Sequence, residues 1–137
     1  MYKQLDHPAD LYFEVVGNNL NEIFADSASA ILDYIGKVNL KSKTEEKNLI
    51  FEGLIEDILI EYLNEILFEV IVREKYLVKV SISIDKDWQN NTLFKAYLSC
   101  TFKKTKEVKR EIKAVSYHMA KLEIDYGKLI FRFIADI

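Results

Sequence analysis

Residues 54–71 read LIEDILIEYLNEILFEVI, and the reading of this stretch decides the fold. Ile55, Ile58, Leu59, Tyr62, Ile66, Leu67, Val70 and Ile71 recur at steps of three and four, which gathers them on one broad stripe of an α-helix. Glu56, Asp57, Glu61 and Glu65 fall on the other side and mark a solvated face. The run is too long for an ordinary strand and carries too many carboxylates to be a bilayer span, which takes ~20 consecutive apolar residues. It is therefore expected to be the central core helix, near residues 54–72.

On its C-terminal side the period changes from helical to two. Residues 77–84 (LVKVSISI) alternate, Asp85–Asn91 is a polar turn, and residues 92–102 (TLFKAYLSCTF) alternate again. Residues 111–124 (EIKAVSYHMAKLEI) form another strand, Tyr126-Gly127 a hairpin turn, and residues 128–134 (KLIFRFI) the last strand. On the N-terminal side a polar loop, 37–48, leads into a short strand near 47–52 (KNLIFE). Residues 11–16 (LYFEVV) are a strand closed by Gly17-Asn18-Asn19. Leu20, Ile23, Phe24, Ser27, Ala28, Ile31 and Ile35 then place a helix near 19–35, with Asn18 or Asn19 as N-cap and Gly36 as the stop. Helices followed by hairpin-linked strands make an α+β fold. One domain over residues 1–137 is expected, its two helices packed on one face of largely antiparallel sheet.

Composition narrows the function. Half of the 137 residues are hydrophobic and 30% are charged, which is globular rather than disordered. A net charge of −3 argues against a protein whose main task is gripping phosphate backbone. The single cysteine, Cys100, cannot form an internal disulfide and suits a reducing compartment. With no basic-then-apolar leader, a cytoplasmic location and no membrane partner are expected. Phosphate-loop and dinucleotide-binding glycine patterns are missing. The basic run Lys103-Lys104-Thr105-Lys106-Glu107-Val108-Lys109-Arg110 reads as solubilising surface that could touch RNA or an acidic partner.

Three clusters carry chemistry: Asp6-His7-Pro8-Ala9-Asp10, Ser116-Tyr117-His118, and Ala135-Asp136-Ile137. If the first and last strands pair antiparallel, Asp10 meets Asp136, with main-chain or terminal oxygens of Ile137 close by. Such an all-oxygen set suits Ca²⁺ or Mg²⁺. The same residues also read as a turn cap at Asp10 and a terminal charge at Asp136. His7 and His118 allow a zinc or acid–base site, but no third nitrogen or sulfur ligand is at hand. Ser116 and Cys100 lack the setting of an activated nucleophile.

Taken together, the clusters resemble the archease family. Asp6–Asp10 is similar to that family's Asp-His-Thr-Ala-Asp opening, residues 113–118 (KAVSYH) to its Lys-Ala-Val-Thr-Tyr-His segment, and Asp136-Ile137 to its Asp-Ile ending. Pro8 and Ser116 stand where the family has threonine, and Leu11-Tyr12-Phe13 stands where a small or glycine-bearing run is common. The resemblance implies an accessory protein that activates the tRNA-splicing RNA ligase. It would promote the ligase–guanylate intermediate and repeated turnover, touching tRNA only indirectly through the ligase. It also implies a metal site, usually described as calcium with magnesium or manganese as alternatives. Asp10, Asp136 and Ile137 are its ligands here, with Asp6, His7 and His118 in support, and no catalytic residue is implied. The competing expectations are a metal-dependent hydrolase and a chaperone-like interaction module.

Overall fold

A computed structural model describes residues 1–5, 10–36, 39–84, 93–105 and 108–137. Asp6, His7, Pro8, Ala9 and the whole of the turn at 85–91 lie outside the described residues. The chain runs β1 (Tyr2–Leu5), β2 (Asp10–Gly17), α1 (Leu20–Ile35), β3 (Thr44–Gly53), α2 (Ile55–Ile71), β4 (Lys75–Ile84), β5 (Phe94–Lys104), β6 (Ala114–Asp125) and β7 (Lys128–Asp136). The α+β class is as expected, but the strands divide between two antiparallel sheets, β1-β2-β7-β6 and β3-β5-β4.

Local chemistry sets the element ends. Asn19 Oδ1 accepts the Glu22 N–H at 2.9 Å while a Glu22 carboxylate oxygen accepts the Asn18 N–H at 3.0 Å, so one orphan donor of α1 and the main-chain N–H just before its cap are both satisfied. At the other end Gly36 adopts φ 76°, which an L side chain rarely tolerates, and its N–H bonds Leu32 O at 2.9 Å. The basic run divides here. Lys109 and Arg110 donate their N–H groups to Ile35 O, and the Arg110 guanidinium lies 4.7 Å from the Tyr34 ring centroid. Their cations thus sit where the helix dipole is negative. The β6–β7 hairpin turns through Tyr126 (φ 48°) and Gly127 (φ 77°), the pair of positive φ values that a two-residue turn of matching twist requires.

Each sheet turns one apolar row toward the helices. Leu11, Phe13 and Val15 of β2 pair with Ala135, Phe133 and Phe131 of β7, and all six are buried. Phe133 lies 5.4 Å from Phe13 and 5.1 Å from Phe131, centroid to centroid. In the second sheet Ala96, Leu98, Cys100 and Phe102 of β5 do the same. Helix α1 contacts β1, β2 and β7 of one sheet and β4 of the other, and α2 contacts β6 of one and β3 and β4 of the other.

That double contact widens the buried face of α2 beyond the stripe read from its sequence. Ile60 and Leu63 are fully buried as well. Glu69 is 1% exposed, its Oε1 held by Lys47 Nζ at 2.8 Å and Arg73 Nη1 at 3.0 Å, whereas its neighbour Phe68 is 43% exposed. Tyr62, also fully buried, directs its hydroxyl to Phe24 O at 2.9 Å. That bond satisfies the one polar atom the ring brings into the core.

Candidate functional site

Asp10 opens β2 and Asp136 closes β7, and the two are direct partners in the antiparallel register. Directly opposed residues present their side chains on one face with Cα atoms ~4.5–5.5 Å apart, so the two carboxylates share a side of the sheet. Both residues are partly exposed. On its other flank Asp136 stands opposite Ala114 of β6, and its carbonyl accepts the Lys113 N–H at 2.8 Å. The family-like segment 113–118 therefore begins beside the terminal aspartate.

Two rows further along the same face, the charge is already balanced. Arg132 donates through Nε and Nη2 to Glu14 Oε1 at 2.9 and 2.7 Å, and Lys3 reaches the other Glu14 oxygen at 3.1 Å. Lys3 and then Arg132 hold the Glu14 carboxyl below its usual range. Among the described residues no cationic side chain pairs with Asp136 in the same way. Like charges placed opposite each other across strands are destabilising, and a divalent cation between them reverses the sign of that interaction.

The donor set fits a hard cation. Two carboxylates and nearby main-chain oxygen are what Ca²⁺ or Mg²⁺ prefers, with water completing the shell. The Asp136 carbonyl accepts the Lys113 N–H with one lone pair, and Ile137 adds a further main-chain oxygen at this end. Among the described residues no three His, Cys, Asp or Glu side chains gather as a metal cluster.

The remaining sequence candidates stand apart from this pair. Ser116 faces Ile134, two positions before Asp136, and beyond it β6 bulges before regaining register at Lys121 opposite Arg132. His118 lies in that bulge, exposed, with its N–H bonded to Ser116 Oγ at 3.0 Å. Met119 follows with φ 62°, a left-handed conformation uncommon for a non-glycine residue. Cys100 is buried, and burial pushes its thiol up to about 11, far from nucleophilic at neutral pH.

Sequence reasoning missed what supports this end of the sheet. Asn64 of α2 donates to Val115 O at 3.0 Å and accepts the Val115 N–H at 2.8 Å, and Glu56 accepts the Leu122 N–H at 3.0 Å. These side chains close the free edge of β6 on both sides of its bulge. No local pattern distinguishes Asn64 from a surface asparagine. Asn64→Ala is expected to cost about 1–3 kcal/mol, since it strips partners from both main-chain groups of buried Val115. Urea unfolding with an unchanged midpoint would show that the clamp contributes nothing.

The archease protein family model (MTH1598/TM1083) matches residues 2–137. Pyrococcus abyssi archease is 30% identical, with 99% of this chain and 98% of that protein covered. The Methanosarcina mazei archease is 27% identical, with 99% and 95% covered. In three dimensions the Thermotoga maritima archease, described as a possible chaperone, aligns with a TM-score of 0.69 at 26% identity, covering 100% of this chain and 98% of that one. Methanobacterium thermoautotrophicum protein 1598 gives a TM-score of 0.70 at 25% identity, covering 99% and 98%. With a family match that runs nearly end to end, over the strand pair that joins Asp10 to Asp136, this chain belongs to the archease family.

Proposed function

We propose that this protein is a non-catalytic, cytoplasmic activator of the tRNA-splicing RNA ligase, and that it acts through a divalent cation, calcium first, held by Asp10, Asp136 and a main-chain oxygen of Ile137. The observation that carries this reading is the direct register of Asp10 with Asp136 on one face of the sheet. When bound, the cation supplies positive charge that offsets two carboxylates and ties the start of β2 to the end of β7. The chain's own contribution is positional. β7 lies between β2 and β6, so residues at its end are fixed from both sides. Asn64 and the Lys113–Asp136 main-chain bond hold the adjoining β6 segment in place. A partner thus meets a rigid rim rather than a frayed terminus.

The test is ligase guanylylation and multiple-turnover RNA joining, with and without this protein, in calcium and in chelator. Expected is stimulation by the protein that chelator removes, with no joining of RNA ends and no phosphoester turnover by the protein alone. Ligation without ligase, or stimulation untouched by chelator, would overturn the reading. The chaperone-like alternative, favoured by the description of the Thermotoga maritima relative, separates cleanly. It requires suppression of ligase aggregation with no change in the guanylylation rate of soluble ligase.

A further inference from the structure

The three-stranded sheet has an outer face that neither helix touches. Its inner rows, from Lys47, Leu49 and Phe51 through Ala96, Leu98 and Cys100 to Val80 and Ile82, turn toward the helices. The outer rows read Glu46–Thr101–Lys79, Asn48–Ser99–Ser81 and Ile50–Tyr97–Ser83, flanked by Lys103 opposite Thr44 and by Lys95 opposite Glu52. Along β5 this places Lys95, Tyr97, Ser99, Thr101 and Lys103 in one outward line. Successive members stand ~6.8 Å apart, so the line spans about 27 Å.

The chemistry of this face is not that of a protein-docking patch. Among the described residues Ile50 and Tyr97, with Val78 at the β4 bulge, are its exposed large apolar side chains, and hydroxyl, amide and ammonium groups fill the rest, whereas the core of a protein interface is apolar throughout. Tyr97 is 49% exposed at the centre, with Lys95 Nζ 5.7 Å from its ring centroid. Among the described residues no ion pair engages Lys79 or Lys103. At the Lys103 end, Lys75 bonds Glu45 at 3.0 Å, and Lys75, with Lys104 and Lys43 behind it, holds that carboxyl below its usual range. Among the described residues the outer-face carboxylates, Glu46 and Glu52, belong to β3, and Glu52 is paired with Lys95. Among the described residues, the strip over β5 and β4 therefore carries cations, hydroxyls and an aromatic ring, and its row-mate Glu46 stands on the neighbouring β3.

We propose that this strip binds single-stranded RNA, with Tyr97 stacking a base, Lys79 and Lys103 meeting phosphates, and Ser81, Ser99 and Thr101 bonding sugar hydroxyls or base edges. Aromatic side chains on an open sheet, flanked by cations, are the general solution for holding unpaired bases. The span suits a segment of ~4 nucleotides or somewhat longer. A duplex cannot present base faces to Tyr97. The proposal is independent of the Asp10–Asp136 site, and it gives the protein a direct contact with RNA beside the indirect one through the ligase.

The probes are fluorescein-labelled twelve-residue oligouridylate and oligoadenylate RNAs and a duplex of the two, titrated by anisotropy at about 50 mM salt. Expected is measurable binding of the single strands, weak because the protein as a whole is anionic, and weaker binding of the duplex. Tyr97→Ala should lower affinity about tenfold or more. Lys103→Glu should weaken binding and reduce the slope of log affinity against log salt by about 0.7. Lys128→Glu, a like change on the other sheet, should not. All three positions are exposed or partly exposed, so each variant is expected to melt near the wild type, and the salt slope keeps the test decisive if one does not. No single-strand binding, equal binding of duplex, or wild-type binding by both Tyr97→Ala and Lys103→Glu overturns the proposal. So does self-association that Tyr97→Ala abolishes, because the face would then be an interface between copies of this chain.

Discussion

Asp136→Asn is expected to reverse its stability rank against the wild type when calcium replaces chelator. Asp136 is the cleaner of the two aspartates to change, because Asp10 makes a further interaction of its own. Without cation the variant loses only a cross-strand repulsion, so it should melt slightly higher, by about 0.2–1 kcal/mol. With calcium at about a hundred times the wild-type dissociation constant, the wild type gains ~2.7 kcal/mol by mass action. That corresponds to roughly 8–10 °C for a domain of this size. The variant keeps its shape but has one carboxylate fewer against a doubly charged ion. Its calcium affinity should fall about tenfold to a hundredfold, which removes from about half to most of the shift. Ligase stimulation should fall in parallel. Melting curves in the two buffers decide the matter. Equal calcium shifts in both proteins would remove Asp136 from any metal site, even if activation survived.

The largest effect on stability should come from Phe133→Ala. Phe133 is fully buried between Phe13 and Phe131, in the strand that ends at Asp136. Truncating a core phenylalanine costs about 3–5 kcal/mol, because the transfer energy is lost and packed neighbours only partly refill the space. Thermal unfolding should drop by roughly 10–17 °C. Calcium affinity should change little in whatever fraction stays folded, since the Asp10–Asp136 register is carried by main-chain bonds along the whole of β2 and β7. A loss below about 1 kcal/mol would mean that the first sheet tolerates a cavity its packing does not suggest.

Much of this was legible without coordinates, and the reason is locality. The ends of α1 follow from Asn19 and Gly36, and the last hairpin from Gly127, because caps and tight turns depend on a few adjacent residues. Both helices fall within a residue or two of their sequence positions, and alternation located β2 to β7. The meeting of Asp10 with Asp136 needed only one topological assumption, that the first long strand pairs with the last.

What the tertiary structure decided is of another kind. Tyr2–Leu5 is too short to announce itself and exists as a strand because β2 offers it an edge. The division into two sheets, and the placing of both helices against both of them, cannot be read from period-two patterns that are the same in either arrangement. The same enclosure widened the buried face of α2 beyond its expected stripe, burying Glu69 once Lys47 and Arg73 could reach it and leaving Phe68 partly in water. The three-residue bulge that turns Tyr117, His118 and Met119 outward, and the clamp by Asn64 beside it, likewise depend on partners far away in the chain. Local sequence sets which face of a segment is apolar, but which other segment covers that face is a long-range choice made by burial against the entropy of closing loops.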